Sequence, residues 1–418
     1  MKQLGLTIPL LVCAALTCSC NLIDLKHNVK KVESFGVVGV EVNAPAATAP
    51  TYALAWTATT ESKTNKMIGF QQVDPGGVAV FLLRQKNKYN VGAFTDLNKN
   101  GTYDGGEPMD FVRDVKPTPL SDTTNRSATI PLRLSPTNGL PRGQSATLPE
   151  EDKELGEALG VAIGQVVKLS DPRFTVEIGE MGMWKPYEFL QQYGFGIYFL
   201  EPYQANKTPV LFVYGISGSP QDWKDIIEKL DRKKYQPWFF YYPSGLRLDK
   251  IANALAGGVI LLQKRYGFDH IDVVAHSMGG LVSHGAIRRI EAETKKNFVP
   301  HFISISTPWA GHEAAEMGVK HLRFPVPSWR DMSQNSSYLK DVAEHPLPKS
   351  TRHDLIFGYK SAGGFGMPDD NDGVVGVESQ LSLPVQQRAA SVFGLHQEHM
   401  EILKSPVVME RIEQYLAH

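Results

Sequence analysis

The sequence predicts an α/β protein: a mostly parallel sheet with helices on both faces, preceded by a small all-β sandwich. Three observations carry that expectation. Between about residues 37 and 134, short apolar runs alternate with Gly, Pro, Asn and Asp, the grammar of a sandwich. Beyond residue 200 the pattern changes to strand, helix, strand, helix, which implies a parallel sheet covered on both sides. The chain has 418 residues of which 42% are hydrophobic, enough for more than one core.

Charge removes some function classes. Lys+Arg 43 against Asp+Glu 44 leaves a net charge of −1. No excess of cations is available for a phosphate backbone, which argues against a nucleic-acid partner. The three cysteines, Cys13, Cys18 and Cys20, all lie within the first twenty residues. The rest of the chain therefore has no disulfide, cysteine-ligated zinc or cysteine nucleophile.

Residues 1–19 read as an export signal, with one early cation (Lys2), an apolar run from Leu4 to Leu16, and small residues after it. The run is too short for a stable bilayer span. Leu16-Thr17-Cys18-Ser19 before Cys20 resembles the lipobox of bacterial lipoproteins, with Thr17 where that pattern prefers Leu. The resemblance implies a diacylated Cys20 and a membrane anchor, with Cys18 as the weaker alternative. Asn21, in place of the Asp that retains such proteins at the inner membrane, points to the outer membrane. An ordinary secretory signal is the competing reading.

The next region, 28–135, is the expected sandwich, with strands at Gly36–Val42, Tyr52–Thr59, Met67–Val73, Val78–Arg84, Tyr89–Asp96, Phe111–Val115 and Ala128–Leu134. It resembles transthyretin-like and carboxypeptidase-regulatory-like modules. Within it, Asp96, Asn98, Asn100, Asp104 and Glu107 stand at positions 1, 3, 5, 9 and 12 of a loop with Gly101 at 6. That is the ligand spacing of an EF-hand calcium loop, and Thr102 completes the set. The preceding segment reads as a strand, so the expectation is a structural calcium outside an EF-hand. An Asn/Asp/Gly hairpin that satisfies its own backbone is the alternative.

Residues 136–150, rich in Pro and Gly, read as a linker, and 151–418 as the second unit. Its strands are expected at Val210–Val213, Trp238–Tyr242, Ile271–Ala275, Phe302–Ser306, Leu355–Tyr359 and Ala390–Phe393. Helices are expected at Ile251–Tyr266, at Met278–Glu293 and after Ser405-Pro406. The stretch of about 307–353 carries Trp309, Met317, Phe324, Trp329 and Met332, and reads as a cap over a pocket or a small helical core of its own.

The most specific signal is Ile271-Asp272-Val273-Val274-Ala275-His276-Ser277-Met278-Gly279-Gly280. A serine on a sharp strand-to-helix turn needs small residues two before and two after it. Ala275 and Gly279 meet that need, which makes Ser277 the candidate nucleophile. His276 reads as a packing or supporting group, because neighbouring elbow residues do not face each other.

Ala-His-Ser-Met-Gly-Gly, with Val213-Tyr214-Gly215-Ile216-Ser217-Gly218 after an earlier strand, resembles bacterial α/β-hydrolase lipases and esterases. The triacylglycerol-lipase-like and GPI-inositol-deacylase-like branches are included. The resemblance runs from about Phe195 to His418. It implies an α/β-hydrolase fold and an acid and a histidine following the serine. Asp372 is the expected acid, with Asp369 and Asp370 as competitors; His399 is the expected base, with His396 as competitor. The oxyanion donors would be the N–H groups of Ile216 and Met278. Tyr214 stands where the family usually has His, which leaves open how that loop is braced. The implied activity is hydrolysis of lipid or apolar acyl esters with no catalytic cofactor. Acyl transfer by the same residues and a non-catalytic binding lipoprotein are the alternatives.

Overall fold

Val78-Ala79-Val80-Phe81-Leu82-Leu83 is apolar at six consecutive positions, and the architecture explains why. A strand with one wet face alternates polar and apolar residues, whereas one covered on both faces reads as an unbroken apolar run. The computed structural model describes residues 22–44, 49–57, 67–74, 76–120, 122, 127–140, 145–148, 158–362 and 370–417. The expected signal segment 1–19 and Cys20 lie outside the described residues.

In chain order the first strands are β1 Phe35–Asn43, β2 Thr51–Thr57, β3 Met67–Val73, β4 Val78–Arg84, β5 Tyr89–Thr95, β6 Met109–Val115, β7 Thr118–Pro119 and β8 Ile130–Arg133. Then come β9 Leu159–Val166, β10 Phe195–Phe199, β11 Thr208–Val213, β12 Tyr235–Tyr241, β13 Asp272–His276, β14 His301–Ile305 and β15 Arg352–Gly358. The last are β16 Ser361–Ala362, β17 Asp370–Asn371 and β18 Ser391–Leu395.

One 12-stranded sheet runs β18-β15-β14-β13-β11-β12-β10-β9-β4-β1-β7, with β8 beside β1. Strands β18 to β12 are mutually parallel, and β10 joins β12 antiparallel. Helices Leu248–Tyr266, Met278–Thr294 and Pro406–Leu416 bury apolar faces against it. This is the α/β-hydrolase arrangement, a mostly parallel sheet carrying the serine turn at the end of a central strand.

A second sheet, β3-β2-β5-β6, faces β1 and β4 to form the sandwich. Val38, Val40, Ala79, Phe81 and Leu83 meet Ala53, Ala55, Val91 and Ala93 in its core. Val78, Val80 and Leu82 project from the opposite face of β4 into the core of the hydrolase unit. The stretch expected as a linker is thus no break in the sheet: β4 pairs directly with β9 on its far side. Side-chain links reinforce the seam. Glu293 accepts from the Ser127 hydroxyl at 2.6 Å, and Arg265 is paired with Asp74.

Residues 22–33 form a helix, so the sandwich expected from residue 28 begins only at β1. Leu25, Asn28, Val29 and Val32 are its buried positions, one face at helical spacing. That face lies on the hydrolase unit. Asn28 Oδ1 accepts from the N–H groups of Tyr187 and Glu188 at 3.0 and 3.2 Å, capping the helix Pro186–Tyr193. Among the described residues no helix is long and apolar enough to cross a membrane.

Candidate active site

Ser277 sits between β13 and the helix Met278–Thr294 with φ 53° and ψ −130°. This left-handed conformation is costly for a side chain with a Cβ and persists only where the surroundings hold it. They do so here. A Cβ on Gly279 would lie 2.3 Å from the Val213 carbonyl oxygen, so the helix can start this close to β11 only with glycine. Ser277 N–H donates to the Ile305 carbonyl at 2.8 Å, fastening the turn to β14.

Asp372 and His399 come from the loops that follow β17 and β18. His399 Nδ1 lies 2.7 Å from Asp372 Oδ2, and the His399 backbone N–H donates to the Asp372 carbonyl at 2.8 Å. The other carboxylate oxygen accepts from Val374 and Val375 N–H at 3.0 and 2.8 Å. Burial alone would raise the Asp372 pKa. The His399 bond and charge, with the two N–H groups, outweigh it and hold the carboxyl below its ordinary value. Asp372 is therefore a buried, ionised acceptor aimed at an imidazole. The competitors stand elsewhere: Asp370 is exposed in β17, His396 is exposed beside Tyr359 at 5.7 Å between rings, and Asp369 lies outside the described residues.

His276 has a larger part than its position in the sequence suggested. Its Nε2 donates to the His399 carbonyl at 2.9 Å, and the two rings lie 4.5 Å apart. Burial, helped by His399, pushes its pKa down to about 3, so the ring stays a neutral donor. His312 escaped the sequence reading altogether. It lines the same cavity as Ser277 and His399, and its imidazole is bonded to the Val374 backbone. Burial and then His399 lower its pKa. The available signal was a histidine immediately before a helix in the cap, too common a pattern to stand out.

The Tyr214 question is answered by a reciprocal lock. Tyr214 hydroxyl donates to the Tyr242 carbonyl at 2.5 Å and accepts from Tyr242 N–H at 2.7 Å. Tyr242 hydroxyl donates back to the Tyr214 carbonyl at 2.6 Å, with the rings stacked 4.6 Å apart. Two residues on, Ile216 N–H has no protein acceptor among the described residues. Met278, as first helical residue, has no acceptor in its own helix. Tyr214→Phe strands a buried N–H and a carbonyl, so it is expected to cost about 1–3 kcal/mol in denaturant unfolding. Its kcat is expected to fall about tenfold or more, short of the roughly 10²–10³ for deleting an oxyanion donor.

Ile216, Ser277 and His399 line a cavity of about 380 Å³ whose walls include Met183, Pro308, Trp329, Met332 and Met400. Trp329 and Met332 come from the helix Pro327–Met332, inside the region expected as a cap. Asp331 of that helix accepts from Arg247 Nε at 2.9 Å and Leu248 N–H at 2.7 Å, holding it on the start of the helix Leu248–Tyr266. Leu25 and Val29 of the N-terminal helix cluster with Met183 and Val326 behind the same wall.

The expected calcium loop lies far along the chain from this site. Asp96 Oδ1 and Oδ2 accept from Asn100 and Gly101 N–H at 3.1 and 2.9 Å, and Glu107 accepts from Leu97 and Asp104 N–H at 2.7 and 2.9 Å. Asn98 and Asn100 amides donate to Asp104 Oδ2 at 2.6 and 2.8 Å, while Thr102 hydroxyl turns to Thr147 at 3.3 Å. Among the described residues no group of three or more His, Cys, Asp or Glu is arranged to hold a metal.

The sheet and the serine elbow at its centre make this an α/β-hydrolase, and the class is serine ester hydrolase. Residues 204–342 match the family described as Putative serine esterase (DUF676), the segment that carries the elbow, the Tyr214 loop and most of the cap. No curated protein is matched by the chain. Among solved structures it is similar to the Bacillus licheniformis lipase BlEst2 in mature form, at 20% identity over 53% of this chain and 97% of that one, TM-score 0.42. It is also similar to a Listeria innocua gene product (16% identity, 50% and 94% coverage, TM-score 0.40). Aspergillus fumigatus lipase B is similar at 14% identity, 53% and 56% coverage and TM-score 0.41.

Proposed function

We propose that the protein hydrolyses apolar acyl esters through an acyl-enzyme. Ser277 Oγ attacks the ester carbonyl carbon while His399 Nε2 takes its proton, and Asp372 keeps the imidazole in the required tautomer and stabilises it when charged. The oxyanion accepts from the N–H groups of Ile216 and Met278. Collapse breaks the bond to the alkoxide, which leaves as the alcohol with the proton from His399. Water then attacks the acyl-Ser277 ester by the same proton route and releases the carboxylic acid. The observation that carries this reading is the juxtaposition of Ser277 and the His399–Asp372 pair around one apolar-walled cavity.

The test is hydrolysis of p-nitrophenyl esters from acetate to palmitate, with an added acceptor alcohol to register acyl transfer. The expected result is hydrolysis with kcat/KM rising from two-carbon to medium acyl chains, because each buried CH₂ contributes about 0.8 kcal/mol. Met332→Trp, which shortens the cavity, should move the optimum toward shorter chains. Preference for transfer over water would sink the hydrolase reading.

We also propose that Cys20 is lipidated and holds the protein at the outer membrane. The support is the lipobox-like sequence; release of a Cys20→Ala variant into the soluble fraction is the expected result. For the sandwich, we propose a structural calcium on Asp96, Asn98, Asn100, Asp104 and Glu107, with Thr102 contributing its carbonyl. The ligand spacing supports it, as do two buried carboxylates, Asp96 and Glu107, without a cationic partner among the described residues. Calcium at about 100 times its dissociation constant should raise the Tm of chelated protein by on the order of 5 °C. An unchanged Tm would count against the ion.

A further inference from the structure

A second cavity, of about 280 Å³, lies between the helix Met278–Thr294, the cap helix Ser337–Glu344 and the start of β15, and shares no lining residue with the catalytic one. That volume is near the lower bound of ligand pockets, about 300 Å³. Its most buried polar group is His284, 3% exposed, whose Nδ1 has no hydrogen-bond partner among the described residues. Burial, then the charges of Arg288, Arg388 and Arg289, keep this imidazole neutral. A neutral imidazole offers one N–H donor, and none is spent here.

Lys349 and Arg388 stand exposed on the rim. Neither is paired with a carboxylate among the described residues, and Arg388 uses one donor on the Ala343 carbonyl at 2.8 Å. Among the described residues no carboxylate lines the cavity, and the nearby Asp341 is already engaged by Arg288 and His345. Val342, Leu347 and Val385 make the walls apolar. A cationic rim with a buried donor calls for an anion. Apolar walls would strip a doubly charged phosphate of water without replacing it. A single carboxylate on a short hydrocarbon chain satisfies both halves.

We propose that this cavity binds a monocarboxylate carrying a short apolar chain, its carboxylate held by Lys349, Arg388 and His284. Acids of this kind are also what ester hydrolysis releases, a coincidence that rests on the proposed function; the binding argument does not. Occupancy would touch the helix that begins at the nucleophile, since His284 lies two turns after Ser277 on it.

Calorimetric titration of the full chain with sodium hexanoate, against sodium chloride at equal ionic strength, tests the proposal. Saturable binding is expected, weakened at least about tenfold in the exposed-residue variants Lys349→Gln and Arg388→Gln, since each removes a charge-assisted bond. A crystal soaked with 6-bromohexanoate should show the bromine anomalous signal beside Val342 and Leu347. Overturning results are no saturable heat, binding unchanged in both variants, or a bromine signal confined to the cavity of Ser277. The ester assay is read separately on the same variants, so loss of hydrolysis cannot be mistaken for loss of this site.

Discussion

Ser277→Ala is expected to lower kcat on a soluble p-nitrophenyl ester by about 10⁴- to 10⁶-fold while leaving the fold intact. Alanine keeps the Cβ and removes only the attacking oxygen, and Ser277 Oγ has no hydrogen bond to neighbouring elements among the described residues. Stability should rise slightly if anything. The residue keeps its left-handed φ of 53°, but no polar atom is left in a site that is 5% exposed. KM should change little, because the cavity walls are untouched. Activity comparable to the parent would remove Ser277 from the mechanism.

Asp372→Asn is the second large effect, about 10⁴-fold in kcat. The amide can still accept from Val374 and Val375 N–H, so the loop has reason to stay in place. Toward His399, however, the new group presents an N–H or a neutral oxygen where a carboxylate stood at 2.7 Å. Either outcome weakens the tautomer that leaves Nε2 free to accept the serine proton. The pH dependence has a definite sign. Because the folded carboxyl is held below its ordinary pKa, its ionised form stabilises the native state above about pH 4, the unfolded value. That contribution disappears as pH falls through the lower folded value. The parent should therefore lose stability in acid more steeply than Asp372→Asn, as measured by urea midpoints between pH 6 and 2.

Much of the catalytic unit was legible because its signals are short. The elbow occupies ten consecutive residues, and β13, β14, the helix Leu248–Tyr266 and the last helix fall within a few residues of their expected bounds. The strands β9 and β10 were not expected. Both lie in stretches broken by glycine, and Gly164 and Gly196 have φ values of 83° and 133°. The N-terminal helix was hidden because only one of its faces is apolar and it follows directly on an export-like segment. The region 307–353 was legible as a cap or small helical core, but not the bounds of the helices Glu313–His321, Pro327–Met332 and Ser337–Glu344 that fill it.

Chain-local demands, such as small residues flanking Ser277 and apolar periodicity in the helices, follow from atoms a few bonds apart, and the amino-acid order states them directly. The α/β class and the candidate nucleophile rest on these. Distances across the fold obey other rules. That Asp372 rather than Asp370 meets His399 depends on which way a loop turns after β17. Tyr214 is braced by a residue 28 positions away, and His276 reaches one 123 away. The join between sandwich and hydrolase unit is of the same kind. An unbroken apolar run in β4 says that both faces are covered, but only the tertiary structure shows by what: the second sheet on one face and the core of the hydrolase unit on the other.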